Sequence, residues 1–409
     1  MKKYWLYIEP YVFIWKNEVS AVIYNSLNYQ YLCIEVTDIV SNIIDELEKV
    51  DNGYCIEITE EQLADKGIIE LVQYLANTSS GGVTACIENR VKPFIFKPVL
   101  FLNEAIRKRL ESTDDFLRDS VLKNLTEVSM FLPGICNLKC KGCNIYYRQI
   151  LHCTTFRESS ISIDDYQTFL LNIESAGVGK LNIISNSLLD NSYFEKLLPV
   201  IRNLKMKKYC YIHYSSFTKE YDLLVDENSY IVVLIHSNYD ITKIEAEISL
   251  HKYHIIWNFV ISSSSDLEKF ERIDFPDNAS VEITPVYTGE NIQFFKENVY
   301  NTLSDILSAH ISKKAIFRHQ SLNENFFGKL ILLPNGNVLT NINSAVIGQY
   351  PEKSLKEIVF KEMTEPTAWF RLRDKHPCST CVNKYLCPSV SNYELFIGKD
   401  NLCTVYDDI

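Results

Sequence analysis

The sequence predicts an α/β protein in three parts, and three observations carry that prediction. Between about residues 120 and 315, apolar runs of strand length alternate with helical patterns. Seven of the 12 cysteines fall into two clusters, one early in that region and one beyond its end. Between the region and the second cluster, Asn335-Gly336 gives a strong hairpin-turn signal. The expected parts are a small α+β unit over residues 1–115, a parallel α/β sheet or partial barrel over 116–320, and a cysteine-rich, loop-rich part over 321–409.

The first part opens with strand-like runs, Tyr11 to Trp15 and Val19 to Tyr24, separated at hairpin spacing by Asn17-Glu18. Two helical patterns follow: Val40, Ile43, Ile44 and Leu47, then Ile68, Leu71, Val72 and Leu75. The second ends at Asn77-Thr78-Ser79-Ser80-Gly81-Gly82. In the second part the strand candidates are Val128–Leu132, Leu181–Ile184, Cys210–His213, Ile231–Ile235, Ile255–Val260 and Val281–Ile283. Helices are expected over Tyr166–Ala176 and Phe194–Leu204. Strands spaced by helices imply parallel pairing, because a parallel neighbour needs a long crossover. In the third part Lys329–Leu333 and Val338-Leu339 flank the turn Pro334-Asn335-Gly336-Asn337.

Composition narrows the function. Hydrophobic residues at 46% and charged residues at 23% describe an ordinary globular chain with ample core for 409 residues. A net charge of -11 with no basic stripe argues against a nucleic-acid or anionic-membrane binder. Glu9-Pro10 interrupts the apolar start, no small-residue cleavage site follows, and no run of about 18 apolar residues occurs. The expectation is a cytoplasmic protein with no membrane and no nucleic-acid partner. In that compartment cysteines are thiols or metal ligands. Cys33, Cys55, Cys86, Cys153 and Cys210 stand alone and read as buried small side chains.

The clustered cysteines carry the chemistry. Cys136-x3-Cys140-x2-Cys143 holds three thiolates on one short loop directly after the first strand, on the carboxyl edge where α/β folds place their sites. Three ligands at that spacing grip three irons of a cubane and leave the fourth open to a small molecule. A zinc ion with a distant fourth ligand is the alternative. Cys378-x2-Cys381-x5-Cys387 with Cys403 is a complete set of four, which satisfies a cluster or a zinc ribbon alike.

In its setting, F-L-P-G-I-C-N-L-K-C-K-G-C-N-I-Y-Y, the first set resembles the defining motif of the radical S-adenosylmethionine (SAM) enzymes. That resemblance implies a partial (β/α)6 barrel, a [4Fe-4S] cluster at Cys136, Cys140 and Cys143, and SAM chelated to the fourth iron. It also implies a 5'-deoxyadenosyl radical that abstracts hydrogen from a substrate. The residues Leu386-Cys387-Pro388-Ser389 and Ser391-Asn392-Tyr393-Glu394, with the hairpin from Gly328 to Gly336, resemble the SPASM domain of peptide-modifying members. They imply one auxiliary [4Fe-4S] cluster on Cys378, Cys381, Cys387 and Cys403. The ligands of a second auxiliary cluster are lacking, since Asn341 and Ser391 stand where cysteines are expected. The first part resembles the winged-helix leader-recognition modules of ribosomal-peptide maturases, which add a leader strand to their own sheet edge.

The SAM segment departs from the family pattern. Where Gly-Gly-Glu is expected after the second strand, the chain reads Ile184-Ser185-Asn186-Ser187-Leu188-Leu189. Ser185, Asn186 and Ser187 are the candidate SAM contacts, offering neutral acceptors in place of a carboxylate that would hold an ammonium. Gly142 stands where an aromatic residue often precedes the third cysteine. With the opening Tyr4 to Pro10, the chain looks most like the divergent pseudo-radical-SAM/SPASM group. The resemblance implies oxidative radical modification of a ribosomally made precursor peptide, with electrons from a donor such as flavodoxin or ferredoxin. The alternative is an inactive relative that presents a peptide to a partner enzyme.

Overall fold

Period-two apolar runs and period-3.6 helices place the chain in the α/β class, as expected. The computed structural model describes residues 2–86, 92, 120–134, 142–153, 159–185, 187–224, 226–250 and 254–405. In the first part β1 (Lys3–Ile8), β2 (Val12–Lys16), β3 (Ser20–Asn25), β4 (Tyr31–Glu35), β5 (Cys55–Thr59) and β6 (Gly81–Ala85) form two three-stranded antiparallel sheets, ordered β5-β1-β6 and β2-β3-β4. Helices Asp38–Glu48 and Lys66–Asn77 are capped by Thr37 and Asp65, whose side chains accept from Val40 N–H and Ile68 N–H. Their apolar stripes, Val40, Ile43, Ile44 and Leu47 with Ile68, Leu71 and Leu75, close a core on Leu6, Ile8, Ile14, Ile23 and Ile58.

Two readings are corrected here. Gly81-Gly82 belongs to a strand as well as to the stop of a helix. Gly81 has φ +150, and a Cβ on it would lie 2.2 Å from the Tyr7 carbonyl oxygen, so the backbones of β6 and β1 approach where no side chain fits. Cys55, Cys153 and Cys210 are buried, but Cys33 is exposed and Cys86 half-buried. Cys33 sits on edge strand β4, whose alternation turns Ile34 inward and the cysteine out.

The second part supplies β7 (Glu127–Phe131), β8 (Lys180–Ile184), β9 (Lys207–His213), β10 (Ser229–Ile235), β11 (Ile255–Ile261) and β12 (Ser280–Pro285), each paired in parallel with the next. The third supplies β13 (Lys329–Leu332), β14 (Asn337–Leu339) and β15 (Gly348–Gln349). All nine form one sheet, β12-β11-β10-β9-β8-β7-β13-β14-β15, with β13 parallel to β7. Main-chain pairing therefore crosses the boundary expected near residue 320. From β7 to β12 spatial order follows chain order, so each crossover steps one strand in a single direction. With right-handed crossovers the helices collect on one face.

That face is apolar. Val128, Met130, Leu181, Ile183, Ile212, Val233, Trp257 and Phe259 pack against Tyr166, Phe169 and Ile173 of helix Ile163–Ser175 and Leu197 and Ile201 of helix Ser192–Asn203. The opposite face carries two small apolar clusters, around Phe131 and Ile184 and around Val232 and Leu234. Polar Glu127, Ser129, Asn182, Tyr211, His213 and Asn258 lie on the same face, as their strand register requires. Among the described residues no helix is long and apolar enough to cross a membrane.

The first part docks on the end of the second and on the third, where Val22 and Tyr24 share a core with Ile306, Leu307, Ile316, Val382 and Leu386. Tyr24 Oη donates to the Ile311 carbonyl and accepts from its N–H, both at 2.9 Å. Phe13 meets Phe317 edge-on at 5.7 Å, and Trp15 packs on Tyr385 at 5.8 Å.

Candidate functional site

Of the first cysteine set, Cys136 and Cys140 lie outside the described residues, as does Asn186. Cys143 is described: it opens helix Cys143–Tyr146, behind Gly142 at φ +86. A Cβ on Gly142 would meet the Tyr146 ring at 2.4 Å. The glycine in place of an aromatic thus has a physical reason: the tyrosine one turn later occupies the space and the backbone is left-handed.

Tyr146 leads to a feature the sequence reading missed. Its ring stacks on His236 (5.6 Å, 9°), and His236 stacks in turn on His213 (5.0 Å, 12°). His213 ends β9 and His236 directly follows β10, on the polar face at the carboxyl edge. His152, fully buried, closes the group from the side, with its Nε2 2.9 Å from His236 Nε2. The hydrogen bonds fix the tautomers. His152 Nδ1 lies 2.8 Å from the Cys153 carbonyl, which only accepts, so the proton of the neutral ring is on Nδ1. His152 Nε2 then accepts from His236 Nε2–H, and His236 Nδ1 keeps its lone pair. Burial, together with the rings of His152 and His213, pushes His236 down to about 3. Burial pushes His152 to about 4 against the pull of the Cys153 carbonyl. Both rings are neutral near pH 7. Single histidines scattered over the sequence carried no signal of this; only strand register brings them together.

Ser185 and Ser187 hold their own loop. Ser185 Oγ donates to the Ser187 carbonyl (3.2 Å) and accepts from Asn191 Nδ2 (3.2 Å), whose amide also reaches the Pro133 carbonyl at 2.7 Å. Ser187 Oγ donates to the exposed Asp190 carboxylate at 2.8 Å. Asp190 puts a carboxylate on this loop a few residues beyond the expected position.

The second cysteine set is fully described. Cys378 opens a 3-10 turn, Cys378–Thr380, and Cys381 N–H bonds back to the Cys378 carbonyl at 3.1 Å. Cys378 and Cys381 are buried, Cys387 and Cys403 half-buried. Burial pushes the Cys387 thiol up to about 12, Arg373 opposes the rise, and Cys381, Cys403 and Cys378 add to it, so the four thiols share one electrostatic neighbourhood. Arg373 Nη1 donates to Cys378 Sγ at 3.7 Å and Asn401 Nδ2 to Cys403 Sγ at 3.5 Å. Two of the four sulfurs are thus met by N–H donors, and one of the two, Cys378 Sγ, also lies 3.5 Å from the Asp400 carbonyl. Four cysteines with N–H donors to two of them are a donor set that suits a metal or cluster. Among the described residues, no three His, Cys, Asp or Glu side chains converge closely enough to hold a single metal ion.

Asn341 and Ser391, the non-cysteine positions, are also explained. Buried Asn341 donates Nδ2–H to Asn392 Oδ1 at 2.5 Å, and Asn343 exchanges bonds with Arg148: Nδ2 to the Arg148 carbonyl (2.7 Å) and Arg148 Nε to Oδ1 (3.0 Å). Ser391 precedes helix Asn392–Ile397 and donates its N–H to Glu394 at 2.5 Å. Amide hydrogen bonds tie these segments together where the resemblance expects sulfur ligands. A groove of about 740 Å³ runs between β2 and the cysteine-rich part, lined by Trp15, Lys16, Glu18, Cys381, Lys384 and Tyr385.

No protein-family model matches the sequence, and no curated protein does. Among solved structures, the chain is similar to Streptococcus suis SuiB bound to precursor peptide SuiA. Identity is 14%, with 98% of this chain and 99% of that chain covered, at a TM-score of 0.43. SuiB bound to S-adenosylmethionine (13% identity, 97% and 98% covered, TM-score 0.41) and SuiB alone (12%, 97% and 98%, 0.42) match over similar lengths. At these scores the likeness is one of matched extent, and it assigns this chain no function.

Proposed function

We propose that the chain is an iron–sulfur protein of the radical SAM/SPASM type that acts on a ribosomally made peptide. The observation that carries the reading is the pairing of two cysteine sets. An open set of three begins just beyond the first strand of a consecutively ordered parallel sheet. A set of four lies beyond the sheet, Cys378 and Cys381 buried and Cys387 and Cys403 half-buried, near enough for the other three to raise the Cys387 thiol. Cys136, Cys140 and Cys143 would hold a [4Fe-4S] cluster with one iron open to SAM. Cys378, Cys381, Cys387 and Cys403 would hold an auxiliary [4Fe-4S] cluster. Such a pair supplies one-electron cleavage of SAM and an electron sink for the oxidised substrate.

This chain's own residues shape the space around that chemistry. The stack of Tyr146, His236 and His213 walls the carboxyl edge beside Cys143, and His236 Nδ1 offers a neutral acceptor there. The sheet from β7 to β12 serves as a partial (β/α)6 barrel, with Ser185, Asn186 and Ser187 beside its second strand as neutral SAM contacts. Edge strand β2, open along the groove to Cys381, supports a peptide partner held by strand addition to the first part. A flavodoxin or ferredoxin would supply electrons, in the cytoplasm.

A second reading has its own support. Gly-Gly-Glu is absent, and the hydroxyls of Ser185 and Ser187 already bond within their loop. An inactive relative that presents a peptide to a partner enzyme fits that observation. The deciding experiment is 5'-deoxyadenosine formation from SAM by the anaerobically reconstituted, dithionite-reduced protein with and without peptide, against the Cys136/Cys140/Cys143 triple alanine variant. Product from the wild type alone is expected; none, with both clusters loaded and peptide present, favours the presenting role.

A further inference from the structure

We infer that Arg373 and Asn401 set the reduction potential of the four-cysteine site by donating N–H hydrogen bonds to two of its sulfurs. The inference rests on the reading of that site as an iron–sulfur centre. Arg373 lies between the segments that carry the cysteines. Its Nε donates to the carbonyl of Pro388, which follows Cys387, at 2.6 Å. Its Nη1 donates to Glu394 Oε1 at 2.7 Å, reaches the Asp400 carbonyl at 3.4 Å, and meets Cys378 Sγ at 3.7 Å. Asn401 Nδ2 meets Cys403 Sγ at 3.5 Å. Two of four sulfurs thus have side-chain N–H donors, one cationic and one neutral.

The burial argues for more than a surface ion pair. The Arg373 side chain is 11% exposed and that of Glu394 2%. A guanidinium and one carboxylate balance, so the pair alone is neutral. Four thiolates around an iron–sulfur core add negative charge, and reduction adds one more electron to it. A buried cation and N–H donors stabilise the reduced, more negative state over the oxidised one, which raises the potential. Glu394 works in the opposite sense, because it offsets the cation. A merely structural role for Arg373, tying Pro388 to Asp400, predicts no such opposition of sign.

The test is a redox titration followed by electron paramagnetic resonance on the full chain in the Cys136/Cys140/Cys143 triple alanine background, where one cluster gives the signal. Arg373→Gln is expected to shift the midpoint to more negative potential. Arg373→Lys, which keeps the charge and loses the planar fork, should fall between it and the parent. Glu394→Gln should shift the midpoint positive. Should Arg373→Gln fail to load iron, Asn401→Ala still tests the idea, with a smaller negative shift expected. Loaded variants that share the parent's midpoint overturn the inference. Zinc without iron or sulfide in the parent overturns the cluster reading itself, and metal analysis reveals that before any titration.

Discussion

Gly142 shows how one residue records a packing decision. Its left-handed φ and the Tyr146 ring 2.4 Å from a would-be Cβ leave no room for a side chain. Gly142→Ala should therefore destabilise the chain by about 1–3 kcal/mol, read as a lower urea midpoint; an unchanged midpoint would show that the turn relaxes freely. Glu362 is the second case. It is fully buried, and its carboxylate accepts the N–H groups of Thr367, Ala368 and Trp369 at 2.8–3.0 Å and the Thr367 hydroxyl at 2.8 Å. It shapes the turn that leads to Arg373. Hydrogen bonds to a charged group are each worth about 1.5–3 kcal/mol, so Glu362→Ala should cost about 3 kcal/mol or more in chemical denaturation. Glu362→Gln should recover only part of that loss, since one acceptor oxygen becomes a donor facing N–H groups.

At the scale of elements, the carboxyl ends of β9 and β10 hold the His213 and His236 rings that His152 joins. The folded values of about 4 for His152 and about 3 for His236 lie below the ordinary 6.5. Between those values the unfolded chain binds protons that the folded chain does not, so stability is held above about pH 6.5 and falls as pH drops through 5 toward 4. His236→Phe keeps a ring between Tyr146 and His213 and removes one titrating group. Its urea midpoint should depend less on pH across that window than the wild type's. Parallel slopes for the two proteins would contradict the assigned neutral pair.

The whole molecule is knit by pairing between its parts. β13 lies beside β7, Trp369 Nε1 donates to the Lys329 carbonyl at 2.9 Å, and Asn323 reaches the carbonyls of Arg371 and Val390, both at 3.0 Å. The cysteine-rich part and the parallel sheet share one core, which includes Leu330, Val338, Ile358 and Trp369. Loss of the β7–β13 pair should unfold both. Ile331→Pro removes a donor from a strand paired on both sides, and limited proteolysis should then yield no stable fragment ending near Ser321. A protected fragment of that length would show that the sheet stands without its C-terminal hairpin.

The sequence alone determined the α/β class, the strands from β7 to β12, the β13–β14 hairpin and the two cysteine sets, because period, turn chemistry and ligand spacing are local properties. Strands β1, β4, β5, β6 and β15 escaped it. β6 is written in glycine and is a strand only because the Tyr7 backbone lies against it. Tertiary structure alone decided the union of β13 with β7, the stack of Tyr146, His236 and His213, the amide bonds at Asn341, and the place of Arg373 beside Cys378. Each depends on residues far apart in the chain meeting through sheet register or a shared core, and no spacing along the chain encodes such a meeting.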